Sequence, residues 1–174
     1  RRRATAEWLR VDVSLLHLDR VGLVTDRFEI SGDGEFWTID GDMHAFIGRD
    51  AVRSWTTKGS ASDVVAQRGD SVWLIDAVNV GAAPDETDLR RIKATLTVDN
   101  LTLRDRPAKI DRIEMTIGVE PPIATRTRQP APERLISLDG VLIRFDDATL
   151  SGSGALRVSD DGKIDGAIDA CIDK

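Results

Sequence analysis

Two histidines, one cysteine and a scatter of carboxylates are what this chain offers to acid-base, nucleophilic or metal chemistry. Acyl transfer by serine needs a nucleophile on a sharp turn and a histidine to take its proton. No G-x-S-x-G occurs, and His17 and His44 stand inside alternating runs, where they read as surface strand residues. A transition metal asks for clustered Cys and His, and Cys171 is alone, so no metal site is expected. The acidic stretches Asp40 to Asp42 and Asp160 to Asp165 lack the spacing of a calcium loop and read as turns. Glycoside hydrolysis uses carboxylate pairs that meet in space and leave no local signature. With Trp8, Trp37, Trp55 and Trp73 as stacking surfaces, a carbohydrate-active enzyme is the least favoured of three functional readings. The expectation is no catalytic residue, no metal and no cofactor.

Charge removes another class of function. The net charge is −6, with 30 acidic and 24 basic residues intermixed, whereas a nucleic-acid partner needs a concentrated basic surface. Arg1, Arg2 and Arg3 form the only dense basic run, read as a frayed arm with a place beside a membrane as the alternative. No apolar run is long enough to cross a bilayer, and no signal-peptide pattern is present. The lone cysteine excludes an internal disulfide framework and is expected in the core or on a sheet edge. At 174 residues the chain can bury about two-thirds of its unfolded surface, enough for one core. A single β-rich domain over 1–174, part of a longer chain, is expected.

The elements that would position any site are legible as alternation. Leu9, Val11, Val13 and Leu15 share one parity, and Trp37, Ile39, Met43, Ala45 and Ile47 share another after a glycine-rich turn at Gly32 to Gly34. Further runs are Val72, Leu74, Val78 and Val80; Ile92, Ala94, Leu96 and Val98; Ile113, Met115, Ile117 and Val119; and Val141, Ile143 and Phe145. A period of two marks half-buried strands. Short helical turns are expected only at Arg49 to Trp55 and Ser62 to Gln67. The proline-rich stretch 120–133 holds four of the six prolines and reads as a surface connection.

A weak repeat recurs in which an acidic residue precedes apolar residues at the second and fourth positions: DRVGL, DAVNV, DNLTL, DRIEM and DGVLI. It reads as a turn that opens each successive strand of a meander. The last segment, LSGSGALRVSDDGKIDGAIDACID, reads as a hairpin. A three-residue loop with Gly162 left-handed pairs Val158 with Ile164, Leu156 with Gly166, Gly154 with Ile168 and Leu150 with Ile172. Large and small residues then oppose each other, and the space above Gly152, Gly154 and Gly166 is expected to be filled by another layer or by a ligand.

The order PAKIDRIEMTIGVEPP followed by LISLDGVLIRFDDATLSGSGALRVSDDGKIDGAI resembles an uncharacterised family of proteobacterial envelope proteins, known only as a domain of unknown function, over roughly Ile92 to Ile172. The matching residues are Gly152, Gly154, Leu156, Val158, Gly162 and Gly166. The resemblance implies a periplasmic location, or the periplasmic face of an inner membrane, with an N-terminal anchor. The strand pattern is also similar to AsmA-like proteins, which implies a long curved sheet with an apolar groove and a role in lipid handling. The expected fold is mainly β, an antiparallel meander or curved half-barrel with little helix, a two-sheet sandwich being the alternative. The expected function is a non-enzymatic module whose groove takes a lipid or a hydrophobic partner segment. Its lining is assigned to Leu96, Val98, Ile113, Met115, Ile117, Ile143, Phe145, Leu156 and Ile168. The second reading is a protein-interaction scaffold that offers an exposed sheet edge.

Overall fold

The computed structural model describes residues 3–14, 17–32, 35–49, 55–88, 91–106, 109–119, 134–158 and 164–174. Their regular structure is entirely β. Strands β1 (Arg3–Ala6) and β2 (Arg10–Ser14) are short, while β3 (His17–Gly32), β4 (Glu35–Arg49), β5 (Trp55–Arg68) and β6 (Ser71–Pro84) are long. Strands β7 (Ile92–Leu103), β8 (Lys109–Val119), β9 (Arg134–Phe145), β10 (Ala148–Val158) and β11 (Ile164–Asp173) complete one sheet. From β3 onward each strand pairs antiparallel with the next, and β1 and β2 lie one after the other along the outer edge of β3. Strand β11 does not return to β1, so the meander is open, and among the described residues no second sheet packs on it to make the alternative sandwich.

One expectation fails inside β5. Ser62 to Gln67 is strand, not helix. Six residues cannot hold a helix without packing, while here Val64 and Ala66 are the most buried apolar side chains of the sheet and both edges of the strand are hydrogen-bonded. The connection 120–133, the loop around Gly162, Arg1 and Arg2, and most of Arg49 to Trp55 lie outside the described residues.

A single layer leaves a large surface. The accessible area is 12706 Å², whereas a compact monomer of 19.1 kDa exposes about 8,400 Å². Among the described residues, Val64, Ala66 and Val72 are the buried apolar side chains, and no large side chain is fully buried. The fold is held by its ladders and by side chains packing along one face, not by an enclosed core.

The alternation changes parity along a line that crosses the sheet. On β7 the apolar set runs Leu96, Val98 and then Leu101, Leu103; on β6 it runs Trp73, Ile75 and then Val78, Val80. On β5 the partners of these residues are Ala66, Val64 and then Ala61, Gly59. Asp63 (φ 51°) and Asn100 (φ 53°) are left-handed where the parity changes, and Asn100 Nδ2 donates to Asp76 Oδ2 at 2.7 Å between them. On β4 the line passes through Gly41 (φ 150°), where Asp63 and Val64 of β5 oppose one residue. A Cβ on Gly41 would lie 2.9 Å from the Ser62 carbonyl oxygen, so no other residue fits without strain. Two readings from sequence are corrected here. Asp40 to Asp42 is a bulge in mid-strand, not a turn. Likewise Asp76, Asp99, Asp111 and Asp139 of the acidic repeat lie within strands at or near irregularities, and do not open them.

Candidate functional site: an apolar track across the strands

The registers place the apolar residues in rows perpendicular to the strands. One row runs Thr25, Met43, Ala61, Val78, Val98, Ile113, Ile143, Leu150 and Ile172. The next runs Val11, Leu23, Ala45, Gly59, Val80, Leu96, Met115, Val141, Gly152 and Ala170. The third runs Val13, Val21, Ile47, Thr57, Ala82, Ala94, Ile117, Leu138, Gly154 and Ile168. None of the three contains a charged residue. At about 4.8 Å between strands the longest rows extend roughly 43 Å, and three rows span about 14 Å along the strands. That is on the order of 600 Å², the upper end of what soluble monomers leave uncovered.

Seven of the nine residues assigned from sequence lie in this track, and the other two flank it. Val98, Ile113 and Ile143 share the first row, Leu96 and Met115 the second, and Ile117 and Ile168 the third. Leu156 sits one step beyond, paired with Ile136 and Gly166, while Phe145 ends β9 two residues past Ile143 on the same side. The part contributed by β2 to β6 lies outside that assignment, although Val21, Leu23 and Thr25 alternate in the sequence as clearly as the later runs.

That part holds a depression of about 260 Å³ whose walls include Leu9, Leu23, Phe28, Met43, Ala61 and Val78. Phe28 comes from one side of the parity line and Met43, Ala61 and Val78 from the other, so both apolar sets face the same way. Leu9 reaches it because the chain crosses between β1 and β2 there, and Thr25 Oγ1 donates to the Trp8 carbonyl at 2.7 Å. Thr25 is 3 % exposed, and this bond is what lets a hydroxyl sit in an apolar wall.

The glycines of the last hairpin do something other than leave room. A Cβ on Gly154 would meet the Ala167 carbonyl and come within 2.8 Å of the Ile168 Cα, and one on Gly152 would lie 2.9 Å from the Asp169 carbonyl oxygen. Gly166 is equally closed by Ala155 and Leu156, at φ 147°. These positions mark close approach of β10 and β11, and of the three only Gly152 borders an open depression, one of about 550 Å³ whose walls include Glu114, Thr116, Ser151, Ser153 and Cys171. The hairpin register itself is as expected at all four pairs.

The opposite face is polar. Its depression of about 600 Å³ is lined in part by His44, Lys58, Ser60, Asn79, Thr95 and Thr97. His44 is exposed and stands directly across the ladder from Ser60, but no side-chain hydrogen bond joins them. On the apolar face, at the far end of the sheet beyond the parity line, Trp37 and Trp73 stack at 5.1 Å, with the Arg68 guanidinium 5.5 Å from the Trp37 ring. Neither indole lines the two depressions above. Among the described residues no cluster of His, Cys, Asp and Glu is arranged to hold a metal ion.

One polar cluster ties four strands together on the polar face. Arg91, just before β7, pairs with Asp85 at 3.5 Å, and with Ser137 and Asp139 of β9, its guanidinium lying over Gly118 of β8. Asp85 also accepts from the Thr87 hydroxyl at 2.7 Å and the Thr87 amide at 2.9 Å. Those bonds to Thr87, with the Arg91 charge beside them, hold the Asp85 carboxyl below its usual range.

No family model matches the chain, and neither does any curated protein or solved structure.

Proposed function

We propose that the chain is a non-enzymatic lipid-binding module whose apolar track receives acyl chains laid across the strands. The observation that carries this is the track itself: three adjacent rows, without a charge, over nine or ten strands of a sheet that no second layer covers among the described residues. Water against such a surface is unfavourable by about 25 cal/mol per Å² of apolar area, and a chain of methylenes is the occupant that needs no hydrogen bonds from it. Half-burying a sixteen-carbon chain contributes about 6 kcal/mol, which corresponds to a dissociation constant of tens of micromolar for one chain and tighter for two. A track of roughly 43 Å exceeds the ~15 Å depth of one bilayer leaflet, so it accommodates more than one lipid in line. The resemblance to envelope proteins supports extending this proposal to a module at the periplasmic face of a membrane.

The test is native mass spectrometry of the freshly purified protein, followed by solvent extraction, on the wild type and two variants. Met115→Asp puts a carboxylate in the middle row, while Thr116→Asp puts the same charge one residue away on the polar face. Phospholipid carried by the wild type and by Thr116→Asp, and lost from Met115→Asp, supports the reading. Equal lipid in all three, or none in the wild type at added phospholipid well above tens of micromolar, refutes it. A protein segment recovered in place of lipid assigns the track to a hydrophobic partner.

A further inference from the structure

The two edges of the sheet are built differently. The outer edge of β3 is covered by two short strands of 4 and 5 residues, interrupted at Trp8 and Leu9. Short, broken edge strands are a standard way to refuse a further strand. By contrast β11 runs for 10 residues, pairs with β10 without a register shift, and contains no proline, lysine or arginine. Its described side chains are all exposed, Ile168 to 51 % and Ile172 to 59 %, and among the described residues no strand pairs its outer edge.

We infer that the outer edge of β11 accepts an extended segment of another protein that alternates apolar and polar residues and carries lysine or arginine at every fourth position. Charge sets this pattern. Asp165, Asp169 and Asp173 repeat every fourth residue on the polar side of β11, and across the ladder from Asp169 and Asp173 stand Ser153 and Thr149, which bring no positive charge. Arg157 stands across from Asp165 only. An added strand with basic residues on that side meets the two uncompensated carboxylates, and its apolar residues cover Ile168 and Ile172 and prolong the track by one strand.

A second copy of β11 is a poorer occupant. Antiparallel pairing centred on Ala167 or Asp169 sets aspartates directly opposite one another, and centring on Ile168 still gathers both sets on one face. Shifting the register by one residue sets aspartate beside isoleucine.

The probe is a fluorescein-labelled ten-residue Val-Lys-Val-Thr repeat, read by anisotropy against the full chain. Controls are the same peptide with Glu in place of Lys, and a version N-methylated at alternate residues so that it cannot form a ladder. The Lys peptide is expected to bind at least tenfold tighter than the Glu peptide, with N-methylation abolishing binding. The triple variant Asp165→Lys, Asp169→Lys, Asp173→Lys is expected to reverse the preference. These positions are exposed and outside the apolar rows, and circular dichroism with an unchanged thermal midpoint confirms that the variant is folded. Met115→Asp leaves peptide binding unchanged, which separates this proposal from the lipid reading. No binding of the Lys peptide at millimolar concentration, equal binding of both peptides, or a preference unmoved by the triple variant overturns the proposal. Sedimentation showing a dimer that the triple variant dissociates overturns it in favour of a second copy.

Discussion

Gly118→Ala is a single added methyl whose effect depends on one guanidinium. The Cβ at this position would occupy the space now held by the Nε, Cζ and Nη2 atoms of Arg91, so the methyl and the guanidinium exclude each other. Displacing Arg91 breaks its ion pairs with Asp85 and Asp139 and its bond to Ser137. The Arg91 and Asp139 side chains are 25 % and 26 % exposed, so each pair contributes at the modest end, and the group together about 1 to 2 kcal/mol. Alanine in place of glycine in a strand returns about 0.5 to 1 kcal/mol through the unfolded chain. The net cost in the wild type is then about 1 kcal/mol. In an Arg91→Ala background the space is empty, and the same substitution stabilises by about 0.5 kcal/mol. Urea unfolding of the four proteins measures the cycle, with an expected coupling of about 1 to 2 kcal/mol and a change of sign between backgrounds. An equal cost in both backgrounds would show that Arg91 does not lie over Gly118.

Three further outcomes follow from other parts of the sheet. Asp85 has a lowered pKa, so its bonds to Thr87 and Arg91 contribute fully at pH above the ordinary value of 3.8 and are lost as pH falls through the lower folded value; Asp85→Asn should flatten the fall in stability between about pH 5 and pH 2, measured by urea midpoints. Asn100 is left-handed and bonded to Asp76, so Asn100→Ala should cost about 1 to 2 kcal/mol and Asn100→Gly clearly less, since glycine removes only the bond and not the backbone preference. The exposed area implies that folding buries about 15,000 Å² where a compact chain of this mass buries about 19,000 Å², so the heat capacity of unfolding by calorimetry should fall about a fifth below the norm for its length. A normal value would mean that something covers the track in solution.

Periodicity made the strands legible because burial here is one-sided. A residue either packs on the apolar face or meets water, and Leu96, Val98, Ile113, Met115 and Ile117 spell that out without interference. The β10–β11 register was legible for the same reason, since a one-residue slip would have turned Val158 and Leu156 toward water. What could not be read is the parity line. Asn and Asp favour left-handed backbone both in turns and inside a strand, so Asp76, Asn100 and Asp40 to Asp42 carry the same local signal in either place, and only pairing with neighbours decides. Ser62 to Gln67 was misread because its helical spacing is produced by the parity change at Asp63. Glycine is ambiguous in a like way: Gly154 and Gly166 leave out a side chain, but whether that makes a hollow or lets two backbones touch depends on the distance between strands.

The order of strands bears on how the molecule comes apart. Every ladder from β3 to β11 joins strands adjacent in sequence, and among the described residues no ladder joins the first strands to the last. Such a chain behaves as a linear array, its stability a sum of neighbour terms, and it can melt from either end while the middle persists. Closure of a barrel would have fixed the number of strands, whereas an open array has no such rule. A hairpin can be added or lost at an end with the pitch of the remaining rows unchanged, so the length of the apolar track is a quantity that duplication of a hairpin can adjust in steps of about 10 Å.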